Sequence, residues 1–385
     1  MTPTPTSGGA VVSPTTPADM QVVSEDSLKN VKEGKVEIVI AAGKTAVLLP
    51  LQAAKTLGSN DLVFKVGDLL VTIPNKLLST IPSLASGEDA EGSQILLELK
   101  ILVQSATKAL VDGLNKEVGT VTSLSDVFEL RLSILKKDGT RIVVKKFDEP
   151  ITISFKIKGQ SNKDLLGIYY LGDNGELEYV GGQLNGDVIS TQVTHFSKYA
   201  VLEIVKSFED VPTTYWAFHA IQSLAAKQIV SGVTTTEFNP KSNVSRAEFT
   251  ALLVRALGLN AEGPVQFTDI KSDAWYSSYV ATASKLGIVS GRSKDTFAPN
   301  ASITREEMAI MVIRALEVKS GKKIEPAVGV TTFADASSIS KWADSYVKTA
   351  AGLGLLQGRE NNQFAPKGWM TRAESAQIIY TLLSK

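Results

Sequence analysis

Three short stretches share one arrangement of side chains able to do chemistry: NVSRAEF (243–249), SITREEM (302–308) and WMTRAES (369–375). Each runs hydroxyl, arginine, one residue, glutamate. Ser245, Thr304 and Thr371 suit a helix N-cap, where the hydroxyl accepts from an orphan backbone N–H. Glu248, Glu307 and Glu374 follow three residues later and complete capping boxes. Arg246, Arg305 and Arg372 are not needed by a helix start. A cation at the first helical position faces the positive end of the macrodipole, at a cost of a few tenths of a kcal/mol. Two readings account for them. They pair with acids across repeat boundaries, or guanidinium and helix N–H groups together form an anion site, with arginine matching a carboxylate bidentately.

The stretches sit inside a longer repeat, and a repeat governs the fold assignment. Its other anchors are Phe208, Phe267 and Phe333; Asp210, Asp269 and Asp335; Trp216, Trp275 and Trp342; Gly232, Gly291 and Gly358; Phe238, Phe297 and Phe364; and Pro240, Pro299 and Pro366. Glycine to arginine is 14 residues in every copy, and aspartate to glycine is 22, 22 and 23. The tryptophans suit a core position or a stack on a sugar ring. The aspartates suit a helix cap or ligand hydroxyls. The glycines suit a positive φ or close approach of a ligand to the backbone. Each unit reads as helix–loop–helix, with the second helix starting at the arginine motif. Phe249, Leu252, Leu253, Ala256 and Leu257 form one apolar stripe, repeated by Met308, Met311, Val312, Ala315 and Leu316. Three such stripes predict a central three-helix bundle.

The elements that must carry these residues divide the 385-residue chain. The first stretch, 1–34, is rich in Thr, Pro and Ser and reads as a disordered linker. It has neither the basic nor the apolar region of a signal peptide. From 35 to 205, KVEIVIAAG, DLLVTIP, VFELRLSIL, TRIVVKKF and ITISFKIK alternate or run β-branched. KKDGT, GDNGE and LNGD supply hairpin turns. This predicts an antiparallel β-sandwich, with 106–115 open to a short helix or a loop. The helical repeats follow at 206–260, 261–325 and 326–385. Lys plus Arg (40) balances Asp plus Glu (40), which argues against nucleic acid as a partner. There is no cysteine, hence no disulfide or thiolate chemistry. No apolar run reaches the ~18–20 residues of a membrane span. The two histidines, His195 and His219, lack a visible catalytic partner, and nothing calls for a metal or cofactor.

The pattern FxD…W…G…FxP…[ST]R[AE]E in three tandem copies resembles the S-layer homology (SLH) domain over about 206–385. The resemblance implies a multidomain chain: the β-sandwich, then an all-α pseudo-threefold SLH triplet with grooves between neighbouring units. It implies non-enzymatic, non-covalent anchoring of an exported protein to secondary cell-wall polysaccharide of Gram-positive bacteria, at the cell surface. The recognised group would be a pyruvate-ketal-modified N-acetylmannosamine, whose carboxylate is the anion. On that resemblance Arg246, Arg305 and Arg372 are the motif arginines, and the repeat's Asp, Trp and Gly anchors line the grooves. The copies depart from one another. Arg292 and Arg359 follow the glycine in the second and third units, where the first has Val233. Gln228 stands where the others have Gly287 and Gly354. The grooves are therefore expected to be unequal. THFSKYAVLEI (194–204) gives the β module a weaker likeness to all-β modules that precede such triplets. Two alternatives stand beside anchoring: an SLH-anchored glycan hydrolase with its activity in 35–205, and a structural S-layer or spacer protein that self-associates.

Overall fold

The computed structural model describes residues 18–85, 90–114, 118–260, 263–325 and 333–384. The chain divides into a unit that ends at Ile204 and a second unit, Val205–Lys385. The expected linker lies outside the described residues as far as position 17. From there it departs from expectation, because Met20–Val22 forms a strand and Leu28 is buried.

The first unit holds two sheets. The larger runs β1 (Met20–Val22), β3 (Ala46–Pro50), β6 (Gln94–Ile101), β8 (Phe128–Leu135), β15 (Lys198–Val205), β11 (Leu166–Leu171), β12 (Leu177–Gly181). On it β9 (Arg141–Val143) pairs with β8, and β7 (Thr120–Ser123) pairs with β15. The smaller runs β13 (Gln183–Asn185), β14 (Val188–Val193), β10 (Ile151–Lys156), β5 (Leu69–Ile73), β4 (Asp61–Val66), β2 (Lys35–Val39). Both contribute to one apolar core, with Val47, Ile95 and Leu97 from one sheet and Phe64, Val71 and Phe155 from the other. The three Gly-containing turns close antiparallel hairpins β8–β9, β11–β12 and β13–β14.

The expectation of an antiparallel sandwich is corrected. β1 pairs with β3 and β2 with β4 in parallel. The chain alternates between sheets here, so β2 intervenes between β1 and β3, and β3 with helix α1 (Ala53–Leu57) intervenes between β2 and β4. That gives the long crossover a parallel pair requires. Residue alternation reports which face is buried, not which way a neighbour runs. Helices α2 (Asn75–Thr80) and α3 (Gln104–Leu114) complete the unit, the latter on the segment that the sequence left open.

In the second unit the helices are α4 (Phe218–Ala226), α5 (Arg246–Ala256), α6 (Ser277–Lys285), α7 (Arg305–Ser320), α8 (Asp344–Gly352) and α9 (Arg372–Leu383). The all-α, pseudo-threefold triplet around a central three-helix bundle is likewise corrected. Much of the unit is loop, and the loops pair through isolated β-bridges Asn243–Thr371, Ser245–Ser302 and Thr304–Trp369. Val244 N–H donates to Met370 C=O, Met370 to Ile303 and Ile303 to Val244, at 2.9–3.0 Å. Extended backbone just before the motif helices therefore ties the repeats together. The helices are also buried beyond a single stripe. Ala247, Thr250, Ala251 and Val254 are buried along with Phe249 and Leu253, because α5 packs against α6, α7 and α9.

Candidate functional site

All three capping boxes form: Ser245, Thr304 and Thr371 accept from the N–H of Glu248, Glu307 and Glu374, whose carboxylates return to the cap N–H. The two N–H groups before that glutamate are also taken. Arg246 and Ala247 donate to the carbonyls of Ala301 and Pro299, Arg305 and Glu306 to those of Gly368 and Pro366, and Arg372 and Ala373 to those of Ser242 and Pro240. The helix starts are thus satisfied by loops of another repeat, and the expectation that free helix N–H groups complete an anion site is corrected.

The arginines follow the same path. Arg246 crosses into the second repeat, where Nε donates to Phe297 C=O (3.0 Å), Nη2 to Ser290 C=O (2.9 Å) and Nη1 to Glu307 (3.0 Å). Arg305 crosses into the third repeat and donates to Phe364 C=O (2.6 Å), Gln357 C=O (2.7 Å) and Glu374 (3.1 Å). Arg372 crosses back into the first repeat, to the carbonyls of Phe238 (2.8 Å) and Ser231 (2.6 Å). Each guanidinium also lies over the loop phenylalanine, 4.7 Å, 5.1 Å and 4.5 Å from the centroids of Phe297, Phe364 and Phe238. Arg246 and Arg305 are buried, at 5 % and 3 % exposed. Burial lowers the pKa of all three arginines, against which Glu307, Glu374 and, for Arg372, Glu248 act. Arginine is basic enough to stay charged throughout. The pairing of arginines with acids across repeats, one of the two readings of the motif, is therefore present for Arg246 and Arg305.

Arg292 and Arg359 grip the same glutamates from the other side. Arg292 donates through Nε and Nη2 to Glu307 (3.1–3.2 Å), and Arg359 through both to Glu374 (2.9 Å). With Val233 in that place, Glu248 has no arginine at ion-pair distance among the described residues, and Arg372 has no carboxylate.

Asp210, Asp269 and Asp335 neither cap a helix nor face a groove. Each accepts two backbone N–H groups, from Phe238 and Asn239, Phe297 and Ala298, and Phe364 and Ala365, at 2.6–2.8 Å. The second residue of each pair is left-handed without being glycine, with φ of 57°, 59° and 54°. Such a backbone costs about 1–2 kcal/mol, and the carboxylate holds it in place.

Gly232, Gly291 and Gly358 do not have positive φ. A Cβ on Gly232 or Gly291 would lie 2.3 Å from the carbonyl oxygen of Thr234 or Ser293, and one on Gly358 would meet Asn362 at 3.2 Å. They are required by close packing. The positive φ falls at Gly287, Gly354 and Gln228, just past the first helices.

Trp216, Trp275 and Trp342 are 58, 57 and 53 % exposed, which settles them as surface rather than core. Each lines a groove assembled from all three repeats. The first groove combines the loop at Gly232 with Glu248 and Arg255 of α5, Arg372 and Trp275. The second combines the loop at Gly291 and Arg292 with Glu307 and Arg314 of α7, Arg246 and Trp342. The third combines the loop at Gly358 and Arg359 with Glu374 and Thr381 of α9, Arg305 and Trp216. Their volumes are about 160, 390 and 430 Å³. Only the latter two reach the ~300 Å³ at which small-molecule sites begin.

Arg255 and Arg314 were not singled out by the sequence reading. The available signal was a spacing of seven from Glu248 and Glu307, two turns along the same helix face. Thr381 takes the equivalent place after Glu374. Among the described residues, no cluster of His, Asp and Glu could hold a metal ion, and no helix is long and apolar enough to cross a membrane.

The profile of the S-layer homology domain matches residues 207–250, 266–309 and 332–376, so each groove draws on all three matched segments. An amylopullulanase of Thermoanaerobacterium thermosulfurigenes is 37 % identical over 329 residues, 82 % of this chain and 17 % of that protein. This span exceeds the second unit and reaches into the first. An exoglucanase of Acetivibrio thermocellus is 44 % identical over 186 residues, 48 % of this chain and 17 % of the relative. A surface-layer 125 kDa protein of Lysinibacillus sphaericus is 37 % identical over 167 residues, 43 % of this chain and 14 % of the relative. The chain thus spans less than a fifth of each of these relatives. At the coarse level, the second unit is a cell-wall anchoring module. The chain carries three tandem S-layer homology domains and is a cell-surface protein.

Proposed function

We propose that the second unit holds the chain to the cell wall by binding an anionic secondary wall polysaccharide, without making or breaking a bond. The recognised unit is a pyruvate-ketal N-acetylmannosamine. The observation that carries this reading is the grooves themselves. Each joins arginines from two repeats to an exposed tryptophan from the remaining one. Guanidinium groups recognise a carboxylate, and an exposed indole offers its face to a sugar ring. The test is binding of the full chain to purified wall polymer before and after chemical removal of its pyruvyl groups. Retention only by the pyruvylated polymer is expected, while equal retention by both would refute the ketal as the recognised group. Trp342→Ala is the informative variant, because that side chain is exposed and its loss leaves the arginine network intact.

A second reading concerns what the module anchors. The amylopullulanase match continues into the first unit. A chain of this type would then hold a glycan-degrading activity at the wall. Release of reducing sugar from pullulan by the full chain would favour that reading, and no release would count against the first unit as its seat.

A further inference from the structure

We infer that the three grooves divide into one principal anion site, the second, with Arg314 as the guanidinium that meets the ligand. This inference rests on the proposed binding of a carboxylate-bearing sugar and says where that carboxylate goes. The motif arginines make poor ligand contacts on their own. Arg246 uses Nε, Nη1 and Nη2 on the fold, and so does Arg305. Arg292 uses Nε and Nη2 on Glu307, as Arg359 does on Glu374. Arg314 lies in the same groove as Arg246 and Arg292; its guanidinium sits 5.6 Å from the Tyr346 ring centroid, and its one hydrogen bond to the described residues runs from Nη1 to the Ser290 hydroxyl at 3.2 Å. Its Nε and Nη2 carry no hydrogen bond to the described residues, and together they form the edge that a carboxylate takes bidentately.

The other grooves each lack something. The third has Thr381 where the second has Arg314, so its two arginines are both engaged with Glu374. The first has Arg255 in the corresponding place, but at about 160 Å³ it is less than half the size of the second. Arg255 is also held by the Tyr279 hydroxyl through Nε, at 3.0 Å. In charge, the second groove sets three arginines against one glutamate, and the first and third set two against one.

The second groove's tryptophan is also braced. The ammonium of Lys367 lies 5.7 Å from the Trp342 ring centroid and pairs with Glu306. Glu306 is only 2 % exposed and accepts from the N–H and hydroxyl of Ser340 at 3.1 and 3.2 Å. Ala247 and Ala373 occupy the matching positions in the other motif helices, so the buried acid is missing there, and Trp275 has instead the Arg255 guanidinium 5.9 Å from its ring centroid. Arg314 lies beyond the segment matched by the domain profile, which ends at 309.

The test is calorimetric titration of the full chain with a synthetic pyruvate-ketal N-acetylmannosaminide, and with the same sugar lacking the ketal. Arg314→Gln is expected to weaken binding of the ketal sugar by about tenfold or more, the weight of a charge-assisted pair. Arg255→Gln should weaken it far less than Arg314→Gln does, and Thr381→Arg should add a second site of comparable affinity. Melting temperatures of the variants verify folding, since all three positions are on the groove surface. Normal ketal-sugar binding by Arg314→Gln would overturn the inference while leaving the proposed function standing. Failure of the wild-type chain to bind the ketal sugar at all would refute the proposed ligand and this inference with it.

Discussion

Replacing Arg305 with alanine should destabilise the second unit, not merely silence a groove. The side chain donates to two carbonyls and to Glu374, at 2.6, 2.7 and 3.1 Å, from a site 3 % exposed. Bonds from a charged donor contribute about 1.5–3 kcal/mol each, and removing one partner of a buried ion pair costs about 3–5 kcal/mol. These overlap, since one guanidinium makes them all. Glu374 also keeps Arg359, so its charge is not left alone. The lower end therefore applies, about 3 kcal/mol. Arg372 makes only its two carbonyl bonds and is half-buried, so its alanine variant should cost about 2 kcal/mol. For a unit of this length, each kcal/mol moves the melting temperature by about 2–4 °C, which gives falls of roughly 6–12 °C and 4–8 °C. The readout is direct. All four tryptophans, Trp216, Trp275, Trp342 and Trp369, lie in the second unit, so their fluorescence follows its melting within the full chain. Arg305→Lys should recover less than half of the loss, because an ammonium cannot span the three acceptors. A melting temperature within about 1 °C of wild type for Arg305→Ala, or a larger fall for Arg372→Ala, would show that the network does not hold the repeats together.

Three further outcomes follow from the loops. Gln228→Gly relieves a left-handed φ of 55° and should stabilise by about 1 kcal/mol in the same fluorescence melt. Gly291→Ala puts a Cβ 2.3 Å from the Ser293 carbonyl oxygen and should cost about 1–3 kcal/mol or more, although φ there is ordinary. Asp269→Ala orphans the N–H groups of Phe297 and Ala298 and should cost about 2–3 kcal/mol, measured by urea unfolding.

Local signals in the sequence translated directly into local structure. A hydroxyl three residues before a glutamate became a capping box in all three places, because both partners lie within one turn. Asp/Asn-Gly turns closed hairpins for the same reason. Signals whose partner is distant in sequence did not translate. A β-strand's burial pattern is the same whether its neighbour runs parallel or antiparallel, so the β1–β3 and β2–β4 pairs were invisible. The glycine positions make the same point. In the sequence Gly291 suits a positive φ or the close approach of a ligand, but what forbids a side chain there is the carbonyl of Ser293, and contact of that kind is set by how the loop folds.

The arginine motif shows that a residue a helix start does not need can still be needed where the repeats meet. A cation at the first helical turn looked unsatisfied because the helix alone offers it nothing. What Arg246 meets is two loop carbonyls 44 and 51 residues away and the carboxylate of Glu307 on α7, 61 residues away, whereas Arg372 meets two loop carbonyls 134 and 141 residues away and no carboxylate. Ser231, Ser290 and Gln357, whose carbonyls each receive a guanidinium, also line the grooves, so the repeats cannot separate without dismantling them. That linkage gives the departures between copies their meaning. Val233 removes one arm of the clamp on Glu248, and Thr381 removes a free guanidinium, without touching the bonds that Arg372 and Arg305 make across the repeats. Sequence change at those outward positions can therefore retune one groove at a time, while change at the motif arginines must disturb two repeats at once.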